Sequence, residues 1–153
     1  MKVLEIPVIG SSKTEKEKLY TLLSEEPVRN FRGLDFGSVQ LSKDLVIYLY
    51  FLNQENENYD FLWDLIIPHS IGCLVVCDLE SEEIAVANIS VIDQLLGKFS
   101  TPLHICTLKR HKDLPDILKE KGFDIENNLE LLYFDPSDKN SAKDILLNII
   151  NIK

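Results

Sequence analysis

The chain has 153 residues, of which 25 are acidic and 16 are basic, so its formal net charge at pH 7 is -9. This length suits one domain over residues 1–153, large enough to bury about two thirds of its unfolded surface without a stabilising metal or disulfide. The acidic charge repels phosphate backbones and anionic lipid, which argues against a nucleic-acid or membrane-surface partner.

Apolar runs of strand length alternate with helical patterns along the chain. The predicted strands cover residues 2–9, 38–41, 45–52, 71–79, 103–108 and 129–135. The predicted helices cover residues 14–24, 57–67, 82–98, 113–121 and 141–152. A capping box of Ser141 and Asp144 is predicted to start the last helix. The N-terminal apolar run stops at Gly10, which predicts neither a signal peptide nor a membrane span.

The apolar character of three runs sets the fold class. The runs beginning at residues 45, 71 and 103 are almost continuously apolar, which indicates strands buried on both faces, as in a parallel sheet covered by helices. Only the second and third strands are joined by a tight connection, so this pair is predicted to be antiparallel. The sequence therefore predicts a doubly wound α/β domain whose mostly parallel, six-stranded sheet has one antiparallel edge strand.

Three cysteines, Cys73, Cys77 and Cys106, lie in the apolar runs. This placement is typical of reduced core thiols in a cytoplasmic protein. Only His104 lies near them among the histidines, and no ligand-pair spacing is present, so no metal site is predicted.

A phosphate-loop motif begins where the first strand ends. Lys16 follows Gly10 by six residues at the start of a helix, which is the spacing of G-x-x-x-x-G-K-[ST]. Glu15 replaces the second glycine, whose backbone would approach phosphate, and Glu17 replaces the hydroxyl that would bind Mg²⁺. A carboxylate a few ångströms from a triphosphate costs on the order of 1 to 4 kcal/mol. The alternative is that "KTEKEK" is simply a solvated first helical turn.

The middle of the chain carries a family likeness. Residues 33–78 contain "DFG" at 35–37, "YDFLWD" at 59–64 and a buried strand that ends in Asp78. This block resembles the bacterial Ras-like small GTPases related to the gliding-motility GTPase, and the likeness continues more weakly to "YFDPSDKNSAKDILLNII". The resemblance implies a small-GTPase fold of the P-loop NTPase type, with Gly10 and Lys16 as the phosphate-loop glycine and lysine.

Other motifs of that family are altered here. The stretch "EEPVRNFRG" has no threonine for Mg²⁺, and the second switch reads "LNQENEN", without a glycine. Gln54 or Asn56 is the nearest substitute for the glutamine that orients water; the alternative is a hydrated polar loop. Arg110 stands where an aspartate would bind guanine. Asp78 and Asp135 end strands at the ligand edge and are predicted to be helix-capping or turn carboxylates.

These changes predict a degenerate small GTPase, or pseudo-GTPase, that acts by binding protein. We expect no catalytic residue and no cofactor, with Gly10 and Lys16 as a vestigial phosphate-binding site. The resemblance implies a roadblock-type partner or a homodimer, and Tyr59 and Phe61 are the predicted contact residues. The alternatives are that Tyr59, Phe61 and Trp63 only pack on the sheet, or that the chain is a structural subunit of a larger assembly. From the enzyme class, the alternative is a functional GTPase that binds GTP and Mg²⁺ through a noncanonical phosphate loop.

Overall fold

The computed structural model describes residues 2–10, 13–31, 34–52, 59–77, 90–95, 97–99, 101–107, 116, 119–120, 129–133, 135 and 137–151. The strands in these ranges are β1 (Lys2–Ile9), β2 (Arg29–Phe31), β3 (Leu34–Ser42), β4 (Leu45–Leu52), β5 (Cys73–Cys77), β6 (Leu103–Thr107) and β7 (Leu129–Tyr133). The helices are α1 (Lys13–Leu23), α2 (Tyr59–Ile66), a 3₁₀ turn (Ile67–His69), helical residues 90–95 and α3 (Lys139–Asn151). No helix within the described ranges is both long and apolar enough to cross a bilayer.

The strands form one mixed sheet in the order β2-β3-β4-β1-β5-β6-β7. β3 runs antiparallel to both of its neighbours, whereas the pairings of β1 with β4 and β5, of β5 with β6, and of β6 with β7 are parallel. The predicted α/β class, with a mostly parallel sheet and an antiparallel β3–β4 hairpin, is confirmed, and the sheet has a seventh strand that adds a second antiparallel pairing.

The position of the antiparallel strand differs from the prediction. All six predicted strands are present, but the short β2 pairs outside β3, so the antiparallel strand lies one position in from the edge. β2 consists of Arg29, Asn30 and Phe31, and all three residues are exposed. A strand this short, with no buried face, produces no alternation of apolar and polar residues from which it could be predicted.

Two apolar clusters cover the two faces of the sheet. On one face, α1 and α3 pack against Leu4, Ile6 and Val8 of β1. On the other face, α2 and the helical residues 90–95 pack against Ile9 and β5. Both faces of β1 are therefore covered, and its carboxyl end is buried in the centre of the sheet.

The predicted start of the last helix is wrong. α3 begins at Lys139, where the Asp138 side-chain oxygen accepts a hydrogen bond of 2.9 Å from the Asn140 N–H. Ser141 instead faces the preceding loop, because its Oγ accepts from the Asp135 N–H at 2.9 Å and donates to the Asp138 carbonyl at 2.8 Å. Asp138 therefore caps the helix, and Ser141 fixes the loop before it.

Candidate functional site

The strand order reverses at β1, which lies between β4 and β5. The chain passes from β4 across β1 to reach β5, and ligands in open α/β sheets bind beyond the carboxyl ends of the strands at such a point. Ile9 pairs with Leu52 of β4 and with Val75 of β5. The last residues of β1 and β4 therefore lie side by side, directly before Gly10, and β5 continues two residues beyond them.

Gly10 occupies a position that no other residue fits. Its φ is +154°, and a Cβ at this position would lie closer than 3.0 Å to the Val76 carbonyl oxygen and 3.3 Å from its carbon. The close approach of Gly10 to β5 accounts for the glycine independently of any phosphate.

Lys16 lies across the ends of β1 and β4. Its side chain is 1% exposed, and its Nζ donates to the Gly10 carbonyl at 3.0 Å and to the Leu52 carbonyl at 3.4 Å. The structure thus brings together the two predicted phosphate-loop residues, Gly10 and Lys16, and adds the Leu52 carbonyl. Burial of an ammonium group requires such partners, because an unpaired charge is strongly disfavoured away from water.

This geometry limits what the ammonium group can do. A lysine ammonium has three N–H donors, and two of them are directed at the carbonyls of Gly10 and Leu52. At most one donor remains for a phosphate oxygen. In this conformation the hydrogen bonds of the Lys16 side chain connect α1 to the ends of β1 and β4.

Glu15 and Glu17, the two glutamates of the motif, both lie in α1. Glu15 is helical in α1, and its side chain lies outside the described residues. Glu17 is exposed and lines a cavity between α1 and residues 24–28, together with Tyr20 and Thr21.

The predicted contact residues lie in α2. Tyr59 and Phe61 are in the helix, but their side chains are outside the described part of the chain, so their role stays a prediction. Trp63 is 2% exposed, with its ring 6.4 Å from that of Phe99, so for this residue the packing alternative is confirmed. Leu65, in contrast, is 56% exposed.

Several predicted positions lie outside the described residues. These are Gln54, Asn56, Asp78 and Arg110. Thr107, the first residue of the altered guanine motif, ends β6.

Asp135 is a turn carboxylate, as predicted. Its Oδ1 accepts from the Ser137 hydroxyl at 2.6 Å and from the Ser137 N–H at 2.9 Å. These two hydrogen bonds stabilise the ionised form and hold the pKa of Asp135 below its usual value. The side chain is exposed and is engaged with its own turn.

Cys73 and Cys106 are buried in the core, as predicted, and neither is in a disulfide; the side chain of Cys77 lies outside the described residues. Burial raises the pKa of the Cys73 thiol well above its usual value, so this sulfur stays protonated and unreactive. Among the residues that the structure describes, no three His, Cys, Asp or Glu side chains are grouped closely enough to hold a metal ion.

Sequence reasoning missed the groups that complete the site. The carbonyls of Leu52 and Val76 belong to the backbone and carry no residue-type signal. It also missed Tyr20, which is 3% exposed and lies against Gly37, the glycine of the "DFG" segment. Tyr20 lies among charged residues of an amphipathic helix, and nothing in that pattern predicts that its ring contacts β3.

Comparison with known proteins finds no family model that matches the chain and no curated protein that matches it in sequence.

Proposed function

We propose that the chain is a degenerate Ras-like domain that acts as a protein-interaction or scaffold module and binds guanine nucleotide weakly or not at all. The observation that carries this proposal is the position of Lys16, whose ammonium group is buried and donates to the carbonyls of Gly10 and Leu52. In an active phosphate loop the lysine must reach the β- and γ-phosphates. Here its donors are largely used within the protein.

The charge around the loop supports the same proposal. Glu15 and Glu17 flank Lys16 in sequence, so the first turns of α1 carry two acidic residues beside the buried lysine. A triphosphate approaching this helix start meets negative charge in addition to the altered switch and base-recognition motifs. Each change alone is open to compensation, whereas together they remove the main sources of nucleotide affinity.

A further support is the arrangement of the sheet. The resemblance to small GTPases implies a doubly wound sheet with an antiparallel strand and with the phosphate loop after the central first strand. The observed order, with β1 between β4 and β5 and with α1 as the next described element after β1, supports that expectation. A scaffold of this kind with a disabled pocket retains its surface for binding other proteins.

The contact surface that we propose lies on α2, which begins at the predicted contact residue Tyr59. Among the α2 residues whose side chains the structure describes, Leu65 is apolar and exposed. The neighbouring Asp64 forms a salt bridge of 2.8 Å with Lys98. Protein interfaces combine an apolar centre with a polar, solvent-accessible rim, and Leu65 beside the Asp64–Lys98 pair has that composition. A roadblock-type protein or a second copy of this chain is the proposed partner.

Titration with a fluorescent GTP analogue in the presence of Mg²⁺ tests the proposal. We expect no saturable binding at micromolar concentrations, either by the natural chain or by Lys16→Ala. The matched control is Lys18→Ala, which removes the same charge from an exposed position on the same helix.

One result would favour the alternative of a functional GTPase. This result is micromolar binding that is lost in Lys16→Ala and retained in Lys18→Ala, with circular dichroism showing that Lys16→Ala is still folded, because Lys16 also has a structural role that Lys18 lacks. Hydrolysis of bound GTP under the same conditions would extend that result to catalysis.

A further inference from the structure

The face of the sheet that carries α2 is covered only in part. α2 and the helical residues 90–95 pack over β5 and over the carboxyl ends of β1 and β4, where Ile9 and Leu52 lie. Alternate residues of a strand point to the same side, so the register places further side chains on this face, away from those helices. We call this set the open face: Val3 and Glu5 of β1, Phe36 of β3, and Val46, Tyr48 and Tyr50 of β4.

The open face is mostly apolar and aromatic, yet it is not buried. Val3 is 49% exposed, and the other apolar and aromatic side chains of the set are half-buried. Among them, Tyr50 packs partly against the cluster under α2. At the edge of the same face Phe31 is 64% exposed, opposite Leu34. A contiguous exposed apolar patch of this kind marks an interaction site.

Charges of both signs lie at opposite sides of the open face. Arg29 of β2 is exposed and points to this face, since it is paired with Phe36. Glu5 lies three strands away on β1, and its Oε1 accepts a hydrogen bond of 3.0 Å from the Tyr50 hydroxyl. A carboxylate accepts several hydrogen bonds, so Glu5 can still serve a cation. Within the described part of the chain, Arg29 and Glu5 form no salt bridge.

A two-fold axis parallel to the strands would bring these charges together. Rotation about an axis that lies above β3 and β4 reverses the strand order, so β2 of each copy faces β1 of the other. Sheets packed in this aligned way lie about 10 Å apart, a gap that interdigitating side chains fill. We propose that a second copy of this chain packs on the open face about this axis, with Arg29 of each copy paired with Glu5 of the other.

The charge of the open face favours a second copy over an unrelated partner. Each chain carries a net charge of -9, so two copies repel each other over most of their surfaces. The open face balances one cation against one anion, and its own rotated copy supplies both complements. This dimer uses strands rather than α2 and involves no nucleotide, so it does not depend on the proposed function.

The size of the open face sets the expected affinity. It is about 14 Å wide across four strands and about 13 Å long over residues 46–50. Standard interfaces bury roughly 800 Å² per partner, which is more than this face offers. We therefore expect a reversible dimer with a dissociation constant on the order of 100 µM.

A charge exchange tests the pairing of Arg29 with Glu5. Sedimentation equilibrium between about 10 µM and 1 mM should show the natural chain in a monomer–dimer equilibrium. Arg29→Glu alone places two carboxylates opposite each other, and Glu5→Arg alone places two guanidinium groups so, and each is expected to weaken the dimer at least tenfold. An equimolar mixture of the two variants should associate within about threefold of the natural affinity, because every arginine faces a glutamate again.

Matched controls separate this surface from others. Lys143→Glu and Asp144→Arg reverse exposed charges on α3, and neither these variants nor their mixture should change the dimer. Val3→Asp, which places a charge within the open face, should weaken the dimer at least tenfold and decides the case with Arg29→Glu if circular dichroism shows that Glu5→Arg is unfolded.

Three results would overturn the proposal. The first is a natural chain that stays monomeric at 1 mM, which would leave the open face to another occupant. The second is a mixture of folded Arg29→Glu and Glu5→Arg chains that associates no better than either alone. The third is a dimer that is lost in Leu65→Ser but retained in Val3→Asp, which would assign self-association to α2.

Discussion

The ring of Tyr20 lies directly on the backbone of Gly37, and this contact joins α1 to the antiparallel strand β3. A Cβ at Gly37 would be 2.7 Å from the Tyr20 hydroxyl oxygen and closer still to the ring. The same ring packs edge-on against Phe51 of β4 at 5.6 Å. A single glycine therefore allows one aromatic side chain to fill the space between helix and hairpin.

We expect Gly37→Ala to destabilise the protein. The added methyl group would occupy the position of the Tyr20 ring, which is buried and has Phe51 on another side. Overpacking of this kind costs about 1 to 3 kcal/mol of unfolding free energy, which urea denaturation followed by circular dichroism would measure.

Gly97→Ala is the matched control, because a Cβ at Gly97 meets no atom within 4 Å. Gly97 is helical and exposed, so alanine is expected to be neutral or to stabilise by up to about 1 kcal/mol. Equal destabilisation by both substitutions would contradict the role of Tyr20, and so would an unchanged stability of Gly37→Ala.

The hydrogen bonds of Lys16 lead to a second stability prediction. Lys16→Met keeps the length of the side chain and removes the donor to the Gly10 and Leu52 carbonyls, which end two buried strands. We expect the unfolding free energy to fall by about 1 to 2 kcal/mol, since relief of the buried ammonium offsets part of the lost hydrogen bonding.

Lys18→Met tests whether this loss belongs to the site. Lys18 is exposed on the same helix, and its substitution is expected to change the unfolding free energy by less than about 0.5 kcal/mol. If Lys16→Met is as stable as the natural protein, the hydrogen bonds of the Lys16 ammonium do not contribute to the unfolding free energy. Thermal unfolding at two salt concentrations would give the same ranking by a second method.

The sheet was predictable because its signals are local. Continuous apolar runs, such as residues 45–52, identified the buried strands, and the short connection "SKD" at residues 42–44 identified the antiparallel pair. β2 was not predictable, because its pairing with β3 depends on backbone hydrogen bonds and its side chains are all exposed.

Only the part of the candidate site that depends on particular residue types could be predicted from the sequence. The spacing of Gly10 and Lys16 predicted a phosphate-loop pair; in the structure the Lys16 ammonium donates to the Gly10 carbonyl, and the phosphate role stays a prediction. The carbonyl of Leu52 was not predictable, since any residue supplies one. The contact of Tyr20 with Gly37 depends on how a helix lies over a strand, which no single segment of sequence encodes.

Leu65 is the residue to change in a test of partner binding. It is 56% exposed on α2, so Leu65→Ser is expected to leave stability within about 0.5 kcal/mol of the natural value. If α2 is the contact surface, the substitution should weaken self-association or binding of a roadblock-type protein at least fivefold, because an anchor residue at an interface contributes more than about 1 kcal/mol. Light scattering after gel filtration and calorimetric titration measure the two cases.

Leu147→Ser serves as the control for that experiment. Leu147 is 39% exposed on α3, the helix that packs on the other face of the sheet. It should leave the molecular mass and the partner affinity unchanged. Loss of association in Leu147→Ser, with none in Leu65→Ser, would move the contact surface to α3.

The turn after β7 gives a prediction about pH. Hydrogen bonds from Ser137 lower the pKa of Asp135, so the ionised carboxylate stabilises the folded turn. A depressed pKa means that this contribution is present above the ordinary aspartate pKa of about 3.9 and is lost as the pH falls through the folded value. Ser137→Ala removes the hydroxyl donor and should raise the pKa of Asp135 toward its usual value, as followed by carboxyl-carbon NMR. Ser24→Ala, in a distant loop, should leave that titration unchanged, and an unshifted Asp135 in Ser137→Ala would mean that the backbone N–H of residue 137 alone sets the pKa.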